Sequence, residues 1–191
     1  MHIKTTPPPK SVQQSRHFFF KQLRPTQIRE FIMVTRIYET RNHSNHPENY
    51  PFMIVEDGEI FMARDHSNHA ENYPIMVIVD NKIYRAREHS HHPENYPFLI
   101  VEGVKVYQAK EHSNHPENYP FMIIDDDEIY VARNHSNHPE NYPFMILDGD
   151  KLYKAREHSH HPENYPFMII DGYYNPAILA AIIWECQLLQ F

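Results

Sequence analysis

Glycine is scarce in this chain: 191 residues carry only four, beside one cysteine and one tryptophan. Each shortage excludes something. Four glycines leave little material for a phosphate-cradling loop, and neither G-x-G-x-x-G nor G-x-x-x-x-G-K-[ST] occurs. A lone cysteine, Cys186, rules out an internal disulfide framework and any cysteine-rich zinc module. No apolar run reaches the ~18 residues that a membrane-spanning helix needs. The opening segment Met1–Lys10 lacks an apolar core and does not read as a secretory signal. These absences together favour a cytoplasmic location. What abounds instead is histidine (16), proline (16) and tyrosine (13). With 41% apolar residues, of which aromatics make 13% of the chain, the composition supports a packed core rather than disorder.

An internal repeat accounts for the histidines. The string His-Ser-x-His-x-Glu-Asn-Tyr-Pro begins at His43, His66, His89, His112, His135 and His158, always 23 residues apart. The copies run 41–63, 64–86, 87–109, 110–132, 133–155 and from 156 onward, and hold 14 of the 16 histidines. After each string comes a short apolar run such as Tyr142-Pro-Phe-Met-Ile-Leu147, whose aromatic and aliphatic residues favour a strand. Turn signals follow: Glu56-Asp57-Gly58, Asp80-Asn81, Glu102-Gly103, Asp125-Asp126, Asp148-Gly149 and Asp171-Gly172, whose Gly, Asn and Asp tolerate positive φ. A second run, Ile60-Phe61-Met62-Ala63 in the first copy, closes the unit. No segment between these breaks is long enough for a three-turn helix, so each copy reads as a β-hairpin.

Copies compared with one another separate fixed from free positions. After the aromatic of the second strand stands Met62, Arg85, Gln108, Val131 or Lys154, a variety expected of a solvent-facing site. Its neighbours keep their type: Phe61, Tyr84, Tyr107, Tyr130 and Tyr153 before it, Ala63 and its equivalents after it. Alternation then puts the aromatic and the alanine on one buried face, with alanine pointing inward. The connecting string holds two prolines in most copies and cannot be a central strand.

Arg36–Arg41 matches the second strand of a hairpin with no first strand, and Tyr165–Ile170 matches a first strand whose partner is broken by Asn175 and Pro176. The orphans can pair and close a ring, removing both edges. The expected fold is all-β: tandem 23-residue hairpins in a closed ring or barrel of about 12 antiparallel strands, monomeric if the ring closes. The tail Ala177–Phe191 is apolar nearly all round, the mark of a buried or membrane-inserted helix. At ~1.5 Å per residue its 15 residues fall short of the ~30 Å hydrocarbon core, but they suit a lumen. The organisation is thus a basic, disordered lead at 1–31, a repeat domain at 32–175, and a helix at 176–191 in or against the lumen.

The strand count and apolar tail resemble the tubby-like and related β-flower barrels, which wrap β-hairpins around a hydrophobic channel or central helix. The resemblance is architectural and covers residues 32 to 191. It implies a membrane-linked, phosphoinositide-binding role, yet no Lys/Arg cluster of this sequence matches one.

The repeated histidine pairs His43/His46, His66/His69, His89/His92, His112/His115, His135/His138 and His158/His161 are candidate ligands for Zn, Cu or Ni, which imidazole suits. Each pair offers two of the four ligands a structural zinc takes, so an adjacent copy or a carboxylate such as Glu48 has to complete it. The alternative is that these residues hydrogen-bond the loop backbone and stack on tyrosine and proline. Residues 41–172 hold 11 Lys and Arg against 22 Asp and Glu, a net of −11 with neutral histidine, so nucleic-acid binding across the repeats is not expected. Full protonation of the 14 histidines brings the same stretch to +3, which predicts a stability that falls on acidification. Ser44 and its equivalents near His and Glu make no triad without an oxyanion hole, and six equal copies speak against one active site. The functional expectation is a non-catalytic structural or interaction module displaying a His/Glu/Asn/Tyr rim. Metal binding through the paired histidines and membrane association through the tail are the alternatives.

Overall fold

A computed structural model describes residues 34–187. The lead at 1–31 and the last four residues of the expected helix, 188–191, lie outside the described residues. Strand β1 is Val34–Glu39, and five hairpins follow: β2 (Met53–Glu56) with β3 (Glu59–Met62), β4 (Met76–Val79) with β5 (Lys82–Arg85), and β6 (Leu99–Glu102) with β7 (Lys105–Gln108). The last two are β8 (Met122–Asp125) with β9 (Glu128–Val131) and β10 (Met145–Asp148) with β11 (Lys151–Lys154), before β12 (Met168–Asp171) and helix α1 (Pro176–Glu185). Every turn inside a hairpin has two residues. In the first, Asp57 (φ +50°) and Gly58 (φ +81°) are both left-handed, the type I′ geometry whose twist matches that of paired strands.

All pairing is antiparallel and the barrel is closed, with β1 bonded to both β2 and β12. The seam has the register of the covalent hairpins. Glu39 stands opposite Met168 and Arg36 opposite Asp171, just as Met62 stands opposite Met53 and Glu59 opposite Glu56. The closure is a hairpin without its turn, so the orphan strands expected from the repeat phase do meet. With no free edge the barrel offers no unpaired strand for edge-to-edge association.

Inside, one cluster gathers Ile37, Met53, Ile60, Met76, Ile83 and their equivalents from all twelve strands around the helix. Ala177 to Ile183 are seven consecutive buried residues, nearly two turns, so every azimuth of the helix is covered. A helix buried on all sides lies within the lumen. It starts at the hairpin-turn end, where Asn175 Oδ1 accepts the Ile178 amide at 2.9 Å and Pro176 occupies the first turn. It finishes at the opposite end, with Trp184 5.7 Å from both Phe98 and Phe121 and Glu185 paired to Arg85 at 3.0 Å. Gly172 makes the entry to the helix feasible. At φ +136° it lies so close to β1 that a Cβ there would sit 2.8 Å from the Thr35 Cα. No described helix is long and apolar enough to cross a membrane.

One expectation about faces is corrected. The lumen is lined by the residue before the aromatic (Ile60, Ile83, Val106, Ile129, Leu152), not by the aromatic and alanine. Phe61, Tyr107, Tyr130 and Tyr153 are buried on the outer face, opposite Ile54, Ile100, Ile123 and Ile146 of the neighbouring strand. Alternation was right about which residues share a side, but both sides are covered and a period of two cannot say which is inner. The solvent-facing position proves to share the lumen side by alternation and is exposed because it sits at the barrel mouth, as Arg85 shows by reaching the helix end.

Candidate functional site: the loop rim

The six connecting loops emerge at the end where the helix finishes. In the first, Thr40 bridges Pro47 and the Glu48 amide donates to the Glu39 carbonyl at 2.8 Å, prolonging the strand pair into the loop. A tight turn closes the tip. The Ser44 amide donates to the Arg41 carbonyl and the Arg41 amide to the His46 carbonyl, both at 3.1 Å. Ser44 Oγ accepts the His46 amide at 3.0 Å, a side-chain bond that recurs in all six loops. The Arg41 guanidinium donates to Asn49 Oδ1 at 2.6 Å, and arginine does the same in every loop except the one that starts with Lys110.

The first histidine of each pair is the residue that makes the turn. His43, His66, His89, His112, His135 and His158 all adopt φ of +50° to +51°, the left-handed region that few non-glycine residues enter. Each imidazole meets a tyrosine of the adjacent loop nearly edge-on: Tyr50–His66, Tyr73–His89, Tyr96–His112, Tyr119–His135, Tyr142–His158 and, across the seam, Tyr165–His43. Centroids are 5.6 to 6.0 Å apart and interplanar angles 78° to 87°. The chain thus carries a ring of six Tyr–His contacts on top of its ring of strands. Histidine is one of the few residue types enriched at positive φ, and that was the available signal for this role.

The second histidines, His46, His69, His92, His115, His138 and His161, are exposed and their backbones complete the turn. Among the described residues no three His, Cys, Asp or Glu side chains come together in a group that could hold a metal. Between neighbouring loops run shallow hollows of about 650 and 760 Å³, the same site two repeats apart. One is lined by Arg41, His43, Glu163, Tyr165 and Phe167, the other by their equivalents Arg133, His135, Glu117, Tyr119 and Phe121.

Two titratable groups beside the rim are displaced by their surroundings. The Glu128 carboxylate is held below its ordinary range chiefly by the Tyr130 hydroxyl that donates to it, with His160 adding to the effect against the opposing cost of burial. The Tyr130 phenol is pushed up to about 12 by burial first and then by that same carboxylate. At the helix end, burial drives the Cys186 thiol up to about 12, with Glu185 and Glu39 contributing. Such a thiol is inert at neutral pH.

The chain matches no known protein family, curated protein or solved structure.

Proposed function

We propose that the chain is a non-catalytic, repeat-built structural or interaction module that presents six near-identical loops around one rim. The observation that carries this reading is the sixfold ring of loops, each fastened by the same serine and tyrosine contacts. Effort spread equally over six positions suits multivalent display and gives no one position the distinct groups that a reaction needs. As in the tubby-like hairpin barrels, the hairpins surround a central helix; the loops, which carry nine Glu and Asp65 against six Arg and Lys at positions 41, 64, 87, 110, 133 and 156, favour no phosphoinositide. A second reading, transition-metal binding, draws on the six exposed imidazoles of the second histidines. Elemental analysis and calorimetric titration of untagged protein with Zn, Ni and Cu separate the two. The module reading expects no stoichiometric metal and no binding in the micromolar range. Tight binding that disappears when the six second histidines become alanine would replace it with the metal reading.

A further inference from the structure

The third residue of the H-S-x-H string is histidine in two copies only, His91 and His160, and asparagine in the other four. Both extra histidines do the same thing. His91 Nδ1 lies 2.9 Å from Glu59 Oε2 and His160 Nδ1 lies 2.9 Å from Glu128 Oε1, in each case 32 residues back along the chain. The loop leans back past the copy before it and touches the first residue of the second strand two copies back, Glu59 of β3 or Glu128 of β9. His91 also meets the rings of Phe61 and Tyr73, and His160 those of Tyr130 and Tyr142.

The same offset applied to the other loops reveals a rule. Asn137 falls opposite Lys105, and its Oδ1 accepts from the Lys Nζ at 3.4 Å. By count, the same offset matches Asn114 to Lys82, Asn68 to Arg36 and, through the closed seam, Asn45 to Lys151. Histidine therefore occurs only where the partner is glutamate, and asparagine only where it is lysine or arginine. An imidazole offers the carboxylate an N–H and, when protonated, a charge. Opposite an ammonium it would offer an acceptor only while neutral, whereas the asparagine carbonyl always accepts.

We infer that this position and the residue 32 before it form an inter-repeat pairing code that specifies which strand each loop docks on. In a chain of near-identical units the hazard is a ring closed in the wrong register, or between two chains, because the hairpins themselves hardly distinguish their neighbours. The code marks two contacts three repeats apart, on opposite sides of the ring, as different from the other four.

The test exchanges one pair type for the other at both places. Glu59→Lys with Glu128→Lys sets lysine against histidine and lowers the melting temperature by about 3 to 8 °C, two partly exposed pairs being lost. Adding His91→Asn and His160→Asn rebuilds the Lys–Asn pair that Lys105 and Asn137 already form, and recovers more than half of that loss, the Tyr130–Glu128 bond staying broken. His91→Asn with His160→Asn alone lowers it as well, so the two double changes compensate. Glu59→Gln with Glu128→Gln serves the same cycle if the lysine variant does not fold. Strict additivity of the two double changes overturns the inference.

Discussion

Replacing Ile182 by alanine tests whether the helix belongs to the core or is a detachable tail. Ile182 is fully buried within the cluster that all twelve strands line. The substitution removes three carbons, about 2.4 kcal/mol at ~0.8 kcal/mol per methylene. It also leaves a cavity that a closed barrel cannot collapse, since each wall strand is bonded on both sides, and this adds roughly 1 to 2 kcal/mol. The expected loss is about 4 kcal/mol, a large part of a typical total stability of ~5 to 15 kcal/mol. For a chain of this size that lowers the melting temperature by roughly 8 to 16 °C. Thermal unfolding followed by far-UV circular dichroism reads the shift, with the exposed Val104→Ala as a control expected to change stability by less than ~0.5 kcal/mol. A loss below about 1 kcal/mol for Ile182→Ala would refute the reasoning. Coupled to reduced binding to anionic lipid vesicles, it would place the helix at a membrane instead.

Further outcomes follow from the rim and the mouth. His66→Val should lower stability by about 1 to 2 kcal/mol in chemical denaturation, because a β-branched residue is strained at φ +51°, whereas His66→Gly relieves the backbone and loses only the Tyr50 contact. Cys186 in folded protein at pH 8 should react with a thiol reagent about a thousandfold more slowly than after unfolding, since its pKa of about 12 stands against an ordinary 9.0. Because this value is raised, the neutral thiol favours the folded state, and that contribution fades only as pH climbs past 9. Glu128 has the opposite sign: a lowered carboxylate stabilises above its ordinary value of 4.5 and loses that contribution as pH falls through the lowered one. Tyr130→Phe removes the chief cause, so the stability gap between parent and variant should be complete at pH 6 and shrink as the pH falls below 4.5.

Much of the architecture is legible in the order of residues because repetition turns one short pattern into six independent readings. The 23-residue period, the two-residue turns and the out-of-phase ends imply a ring of hairpins, and an orphan strand at each end has a partner only if the ring closes. The tail from Ala177 to Ile183, apolar on every side, implies a surrounded helix for the same reason: it has no polar face to show to water. The loop was less legible. His-Ser-x-His admits both a structural loop and a metal-ligand pair, because spacing records residue types but not backbone conformation. In the fold the first histidine is spent on a left-handed turn and on the tyrosine of the loop before it.

Sequence by itself determined the unit, the count of strands and the presence of an all-apolar helix, since those depend on local pattern and on summed hydrophobicity. Only the tertiary structure decided which side of each strand faces the lumen. A strand covered on both sides has no polar face to break the tie, and Ile60 and Phe61 are equally good at being buried. It also decided that His91 answers to Glu59 and His160 to Glu128. Residues 32 apart become neighbours when a loop folds back onto the strand two copies before it, and no local rule of the chain contains that distance.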